Sequence, residues 1–204
     1  MASASSPDAR RRPTLPLRGA TFRVRGVYSS VSLPVEATES APALRLRPWR
    51  AADIDQLIEI CRDPDLRRYT SASVDSTADG VRWMETQDSG WAAGQRFSFA
   101  VVDDERVLGN VVLKEFADGG ATAEVGYWIA AWARGQGLAP RALDVLMQWA
   151  GDTFVALERL ALIHQVDNVA SCRVAQKCGF AWEQTLTPAP PRFPLEGHLH
   201  VRRR

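Results

Sequence analysis

Between Trp132 and Thr153 the sequence sets two glycines just ahead of a helix, a combination that suits an anion. In Trp132-Ala133-Arg134-Gly135-Gln136-Gly137-Leu138, Gly135 and Gly137 let the backbone take positive φ and come close to a ligand. The helix opened by Ala139-Pro140 offers unpaired amides and the positive end of its dipole. Pro140 fits the first helical position, where an amide has no intrahelical partner. A plain turn before a helix fits the same residues. Spelling excludes two other phosphate loops. A P-loop needs Lys and then Ser or Thr after its last glycine, and here Leu138 and Ala139 follow Gly137. A dinucleotide loop needs a third small residue where Pro140 stands, and a strand directly before the first glycine, where Ala131 to Arg134 intervene.

Other residues suit proton transfer. Glu124, five residues before Ile129 on the strand leading to the loop, is the best-placed carboxylate to accept a proton from an ammonium; an ordinary surface glutamate fits equally. Asn168 and Ser171 lie three apart, in the first turn of one helix, and are also simply a good helix start. His164 reads as a half-buried strand residue, and His198 and His200 share one face of the last strand by alternation. Without a third ligand those two make a poor metal site, so no metal is expected. Cys61, Cys172 and Cys178 are odd in number with no Cys-x-x-Cys pair, and read as reduced core thiols of a cytoplasmic protein.

These candidates need elements to hold them. Leu44 to Arg47 alternates as a strand that Pro48 ends. Ile54, Leu57, Ile58 and Cys61 mark a helix stopped by Asp63-Pro64, and Leu66 to Thr70 reads as a turn-rich piece. Ser76 or Thr77 caps a helix to about Trp91, with Val81, Met84 and Trp91 inward and Gly94 as breaker. Phe97 to Val101 and Val107 to Phe116 form a hairpin, with Gly109 at a possible bulge. Thr122 to Ile129 delivers the chain to the glycine loop. The next helix buries Ala142, Leu143, Leu146, Met147, Trp149, Ala150 and Phe154. Leu160 to Val166 then lies parallel to the strand before it if the crossover is right-handed. A helix capped by Asn168, with Ala170, Val174 and Cys178 inward, stops at Gly179. Phe180 to Leu186 and Gly197 to Val201 are the last strands, joined by a proline-rich loop.

The 204 residues are 46% hydrophobic and 24% charged, ordinary for one folded domain with an extension. A net charge of +1 gives no argument for nucleic acid or an acidic partner. No apolar run approaches the roughly 18 residues of a membrane span. Residues 1–42, rich in Ser, Pro and Arg and carrying Arg10-Arg11-Arg12, read as a flexible arm to which Val24 to Val35 could add an extended segment. The domain is expected over residues 43–202, as a monomer or homodimer.

Arg134-Gly135-Gln136-Gly137-Leu138-Ala139 resembles the Arg/Gln-x-x-Gly-x-Gly/Ala signature of GNAT N-acetyltransferases. Glu124-Val125-Gly126-Tyr127-Trp128-Ile129 and Leu44-Arg45-Leu46-Arg47-Pro48-Trp49 resemble strands of the RimJ/RimL-like branch. Asp167 to Phe180 is similar to that branch's Asn-x-x-Ser helix ending in Lys-x-Gly-Phe. The resemblance covers about Ala43 to Arg202. It implies an α/β fold with a single mixed, mainly antiparallel sheet, splayed at the cofactor site, with helices on both faces. It implies acetyl-CoA as acyl donor, and a primary amine, either a protein N-terminus or a small molecule, as acceptor. The amides of Arg134 to Ala139 would take the pyrophosphate, with Arg134 adding charge. Trp128, Ile129 and Ala130 would offer a strand edge to pantetheine, and Asn168 would touch the cofactor. Ser171 would be the proton donor to the thiolate, while Glu124 stands as the base by its place on the strand alone. A catalytically silent acyl-CoA-binding module remains the rival expectation.

Overall fold

The computed structural model describes residues 31–39, 41–70, 73–190 and 194–204. The arginine run at 10–12 lies outside them. Eight strands form one open sheet in the order β1-β2-β3-β4-β5-β6-β8-β7. They are β1 (Leu33–Val35), β2 (Leu44–Pro48), β3 (Arg96–Asp103), β4 (Arg106–Ala117), β5 (Thr122–Ile129), β6 (Arg159–Gln165), β7 (Ala181–Leu186) and β8 (Gly197–Arg203). Every neighbouring pair is antiparallel except β5 and β6. The helices are α1 (Ile54–Cys61), α2 (Pro64–Tyr69), α3 (Thr77–Ala93), α4 (Leu138–Thr153) and α5 (Val169–Lys177).

The two sheet faces hold different cores. Beneath α4 and α5 lie Leu46, Phe97, Phe99, Val111, Leu113, Val125 and Leu162, in one cluster with Leu143 and Leu146 of α4. Trp91, Phe97, Phe99, Trp149 and Phe154 meet there with ring centroids about 5 to 6 Å apart, mostly edge to face, the geometry their quadrupoles favour. On the other face α1 and α3 cover Trp49, Leu57, Ile60, Met84, Ala100, Val102 and Val107.

Several elements differ from the sequence reading. Leu66 to Thr70 is not a turn: it lies at the end of α2, because Asp63 accepts from the Asp65 amide at 3.1 Å and Pro64 occupies the first turn. The Asp63-Pro64 pair that stops α1 therefore starts the next helix. In α1 Ile60 is buried and Ile58 only partly so. In α3 Val81 is 43% exposed, and Met84, Gln87 and Trp91 face inward. In α5 the inward stripe is Ser171, Ala175 and Cys178, with Ala170 exposed. Helix α4 starts at Leu138, one residue after Gly137, so Pro140 is its third residue and still needs no intrahelical partner. Strand β1 lies within residues 1–42: it pairs with β2, Val35 is buried, and Arg141 donates to the Glu36 and Pro42 carbonyls at 2.6 and 2.7 Å.

Two features aim β5 at the site. Opposite the β3 step from Val101 to Val102, β4 carries one extra residue beside Gly109, a bulge that bends the hairpin. At Gly109 a Cβ would stand 2.6 Å from the Trp128 carbonyl oxygen, so only glycine lets the end of β5 lie this close. Pairing between β5 and β6 runs from Thr122↔Arg159 to Val125↔Leu162 and then ceases, while β5 stays paired to β4 as far as Ile129. The sheet therefore opens between Gly126 and Ile163.

Candidate functional site

The glycine loop lies at the open end of this gap. Ala130 ends the β5 pairing by donating to Leu108, a 3-10 turn over Ala131–Ala133 follows, and Gly135 and Gly137 take φ of 78° and 69°. A Cβ at either glycine would meet nothing within 4 Å, so the conformation, not crowding, calls for glycine. The Gly135, Gln136 and Gly137 amides make no backbone hydrogen bond among the described residues. Leu138 and Ala139 open α4, where amides lack intrahelical acceptors. No acidic side chain occupies that first turn. Five successive amides and a positive helix end thus lie together, with no acidic side chain in the first turn of the helix, an arrangement that suits an anion.

Arg134 turns away from that cradle. Its Nε donates to the Ile129 carbonyl at 3.2 Å, and its guanidinium pairs with Asp63 and Asp65 at the start of α2. At the other end of α2, Arg68 pairs with Asp167 at 2.5 Å, and the Arg68 carbonyl accepts from Gln165. Helix α2 is therefore tied to the loops that follow β5 and β6, and spans the mouth of the gap. Asp167 Oδ1 is buried with no partner among the described residues.

Across the gap, Asn168 caps α5, its Oδ1 accepting from the Ser171 amide at 3.1 Å. Ser171 is buried, and its Oγ accepts from the Tyr127 hydroxyl at 2.9 Å. Burial pushes the Tyr127 phenol up to about 12, so it stays protonated and donating. Tyr127 stands in the stretch of β5 that has left β6, whereas Glu124 stands opposite Ala161 where the two strands still pair. The odd spacing puts Glu124 on the other face, about 10 Å along the strand from Tyr127. The Glu124 carboxylate accepts from Lys114 Nζ at 2.8 Å. Trp128 and Ile129 keep a β4 partner and no β6 partner, and so present a free strand edge with Ala130.

Sequence reasoning missed several partners. The Tyr127 to Ser171 contact joins residues 44 apart, and no local pattern announces it. Arg47 and Asp53 form a buried bidentate pair, at 2.7 and 2.8 Å, in a strand whose basic positions read as solvent-facing. His198 and His200, left without a third ligand by spacing, are joined by His164 and Cys172. A groove of about 690 Å³ lined by Met147, Arg159 and Arg202 lies toward the far end of α4 and contains none of these residues.

An open α/β sheet is thus parted between two parallel strands, with the glycine loop on one side of the gap and the Tyr127 and Ser171 hydroxyls on the other, an arrangement that suits a phosphate-bearing ligand. Residues 43–181 match the model of the acetyltransferase (GNAT) domain, more than half of the chain, and the chain belongs to that family. It is an N-acetyltransferase, and the family implies acetyl-CoA as donor. No curated protein sequence matches it.

Solved structures share the fold. A putative ribosomal-protein-serine acetyltransferase from Vibrio cholerae is 22% identical with a TM-score of 0.72, over 86% of this chain and 99% of its own. RimL, a ribosomal L7/L12 alpha-N-protein acetyltransferase in complex with coenzyme A, is 18% identical with a TM-score of 0.73, over 83% and 97%. MccE, a microcin C7 self-immunity acetyltransferase bound to acetyl-CoA and AMP, is 20% identical with a TM-score of 0.71, over 79% and 92%. No helix among the described residues is long and apolar enough to cross a membrane.

Proposed function

We propose that this chain moves the acetyl group of acetyl-CoA to a primary amine by direct attack in a ternary complex, with a protein N-terminal amine as acceptor. The Tyr127 to Ser171 hydrogen bond, across the gap from the amide cradle, carries this reading. Acetyl-CoA supplies an activated thioester. The amides of Gly135, Gln136, Gly137, Leu138 and Ala139 hold its pyrophosphate, and the free edge at Trp128, Ile129 and Ala130 pairs with pantetheine. The Asn168 side-chain amide, its oxygen already used by the cap, keeps its nitrogen for the cofactor.

As the tetrahedral adduct collapses, Ser171 gives its proton to the departing sulfur and regains one, through solvent, from the acetylated nitrogen as that sheds its second proton; the Tyr127 hydroxyl, by donating to Oγ, orients the outgoing proton. A serine hydroxyl does not ionise near neutrality, so transfer accompanies bond cleavage. Glu124 accepts the ammonium proton through water, since it lies on the opposite face and is held by Lys114. The RimL and Vibrio cholerae likenesses support a protein N-terminus as acceptor.

The test is a panel of peptides with free N-termini and small amines, each incubated with the chain and acetyl-CoA, reading free thiol and the mass of the acceptor. Turnover confined to peptides supports the proposal. Turnover confined to small amines overturns the acceptor, and donor binding without turnover on any amine overturns the activity.

A further inference from the structure

Beneath the first turn of α5 four side chains converge that the acetyl transfer does not use. His164 from β6, His198 and His200 from β8 and Cys172 from α5 each bring one ligand atom to within 4.8 Å of all the others. We propose that these four residues form a structural metal site for one divalent transition ion of borderline softness, Zn²⁺ fitting best, and that the ion pins the start of α5 to the sheet beside Ser171.

The sheet register gathers the histidines. His164 stands opposite His198, and His200 lies two pairs along, opposite Leu162, so all three rise from the face that packs against α5. Cys172 comes down onto them from the helix.

Three of the six spacings among the four ligand atoms match a tetrahedron. Zinc bonds of about 2.0 to 2.1 Å to nitrogen and 2.3 Å to sulfur put two nitrogens about 3.3 Å apart, and nitrogen and sulfur about 3.6 Å apart. His164 Nε2 lies 3.2 Å from His200 Nε2, and Cys172 Sγ lies 3.5 Å from His198 Nδ1 and 3.7 Å from His200 Nε2. Three edges are already at coordination length. The others lie within 4.8 Å, so closure asks for movements of about 1.5 Å or less.

The surroundings prepare the ligands. His164 Nδ1 donates to the Gln165 carbonyl at 2.7 Å; a carbonyl can only accept, so the proton sits on Nδ1 and the lone pair of Nε2 faces the cluster. His200 carries its proton on Nδ1 when Nε2 binds, and that nitrogen has no partner among the described residues; four coordinate bonds are set against that one unpaired group. A thiolate with three imidazoles selects a borderline ion over Mg²⁺ or Ca²⁺, and four protein ligands close the shell, which makes the site structural and not catalytic.

The experiment uses the full chain without a histidine tag, stripped by chelator and dialysed against Zn²⁺ or Co²⁺. One equivalent of zinc is expected, with a melting temperature raised by Zn²⁺ and not by Mg²⁺. Cobalt is expected to give a tetrahedral spectrum with a thiolate charge-transfer band. Cys172→Ser should abolish that band and weaken binding at least about 100-fold, and His198→Asn, at a half-buried position, should weaken it similarly. Both variants are first checked for an unchanged metal-free melting curve. Should His198→Asn fail to fold, Cys172→Ser decides alone, because it keeps the side-chain shape. Absence of stoichiometric metal, absence of a thiolate band in the parent chain, or a band and affinity unchanged in Cys172→Ser overturns the proposal.

Discussion

Tyr127 on β5 donates to Ser171 on α5 across 2.9 Å, and in doing so it leaves Ser171's own proton free for another acceptor. Ser171→Ala should therefore lower kcat by roughly 10- to 10⁴-fold with acetyl-CoA affinity little changed, because the lost interaction strengthens only as the thiolate departs. Tyr127→Phe should cost less, about 10-fold, since it removes orientation and not the donor. Titration calorimetry and steady-state rates on one preparation check both. An unchanged kcat in folded, cofactor-binding Ser171→Ala removes Ser171 from the mechanism.

Gly137 has open space around it and a φ of 69°, so Gly137→Val meets conformational strain of about 1 to 2 kcal/mol more than any clash. The fold should survive while the branched side chain lies across the amides that face the pyrophosphate. Calorimetry should show acetyl-CoA affinity reduced at least 10-fold. Full affinity in the variant moves the donor site elsewhere.

A chain beginning at Ser40 loses β1 and with it buried Val35, and Arg141 loses the Glu36 carbonyl. Burial of one valine is worth about 2 kcal/mol, which predicts a melting temperature lower by some 4 to 8 °C. Composition alone, which reads residues 1–42 as a solvated arm, predicts no change. Differential scanning calorimetry separates the two.

Arg47 and Asp53 are each about 5% exposed at the side chain, and the carboxylate also accepts from the Arg50 amide. Arg47→Met should cost about 3 to 5 kcal/mol by leaving a buried carboxylate without its counter-charge. Replacing both residues, Arg47→Met with Asp53→Leu, should recover most of that. Urea denaturation of the two singles and the double gives the coupling, and simple additivity would refute it.

Elements with both a cap and a stop were legible in sequence. Ser76 with Gly94 bounds α3, Asn168 with Gly179 bounds α5, and the handedness of the crossover gave a parallel β5 and β6. Helix α2 escaped because it is six residues long and buries only Leu66, too little for a period to show. Strand β1 falls at the end of Val24 to Val35, where the sequence offers an extended segment, but three residues are too few to fix its bounds or its pairing. At the site, sequence located the glycine loop and Ser171 but not what each side chain meets. Arg134 reads as a free cation until α2 brings Asp63 and Asp65 against it. Side chains from three separate elements build the histidine and cysteine cluster, so no single spacing encodes it.

The parallel run of β5 and β6 settles where electrostatic help can come from. Helices α4 and α5 each follow one of these strands, so both begin at the same end of the gap, each with its amide-rich terminus toward it. Negative charge enters twice during acetyl transfer, as a standing diphosphate and as a sulfur anion that exists only for the moment of cleavage. With β6 reversed, the second helix would start about 20 Å away, the length of that seven-residue strand, and would meet neither. If acetyl-CoA lies as proposed, one terminus faces the permanent charge and the other faces the transient one.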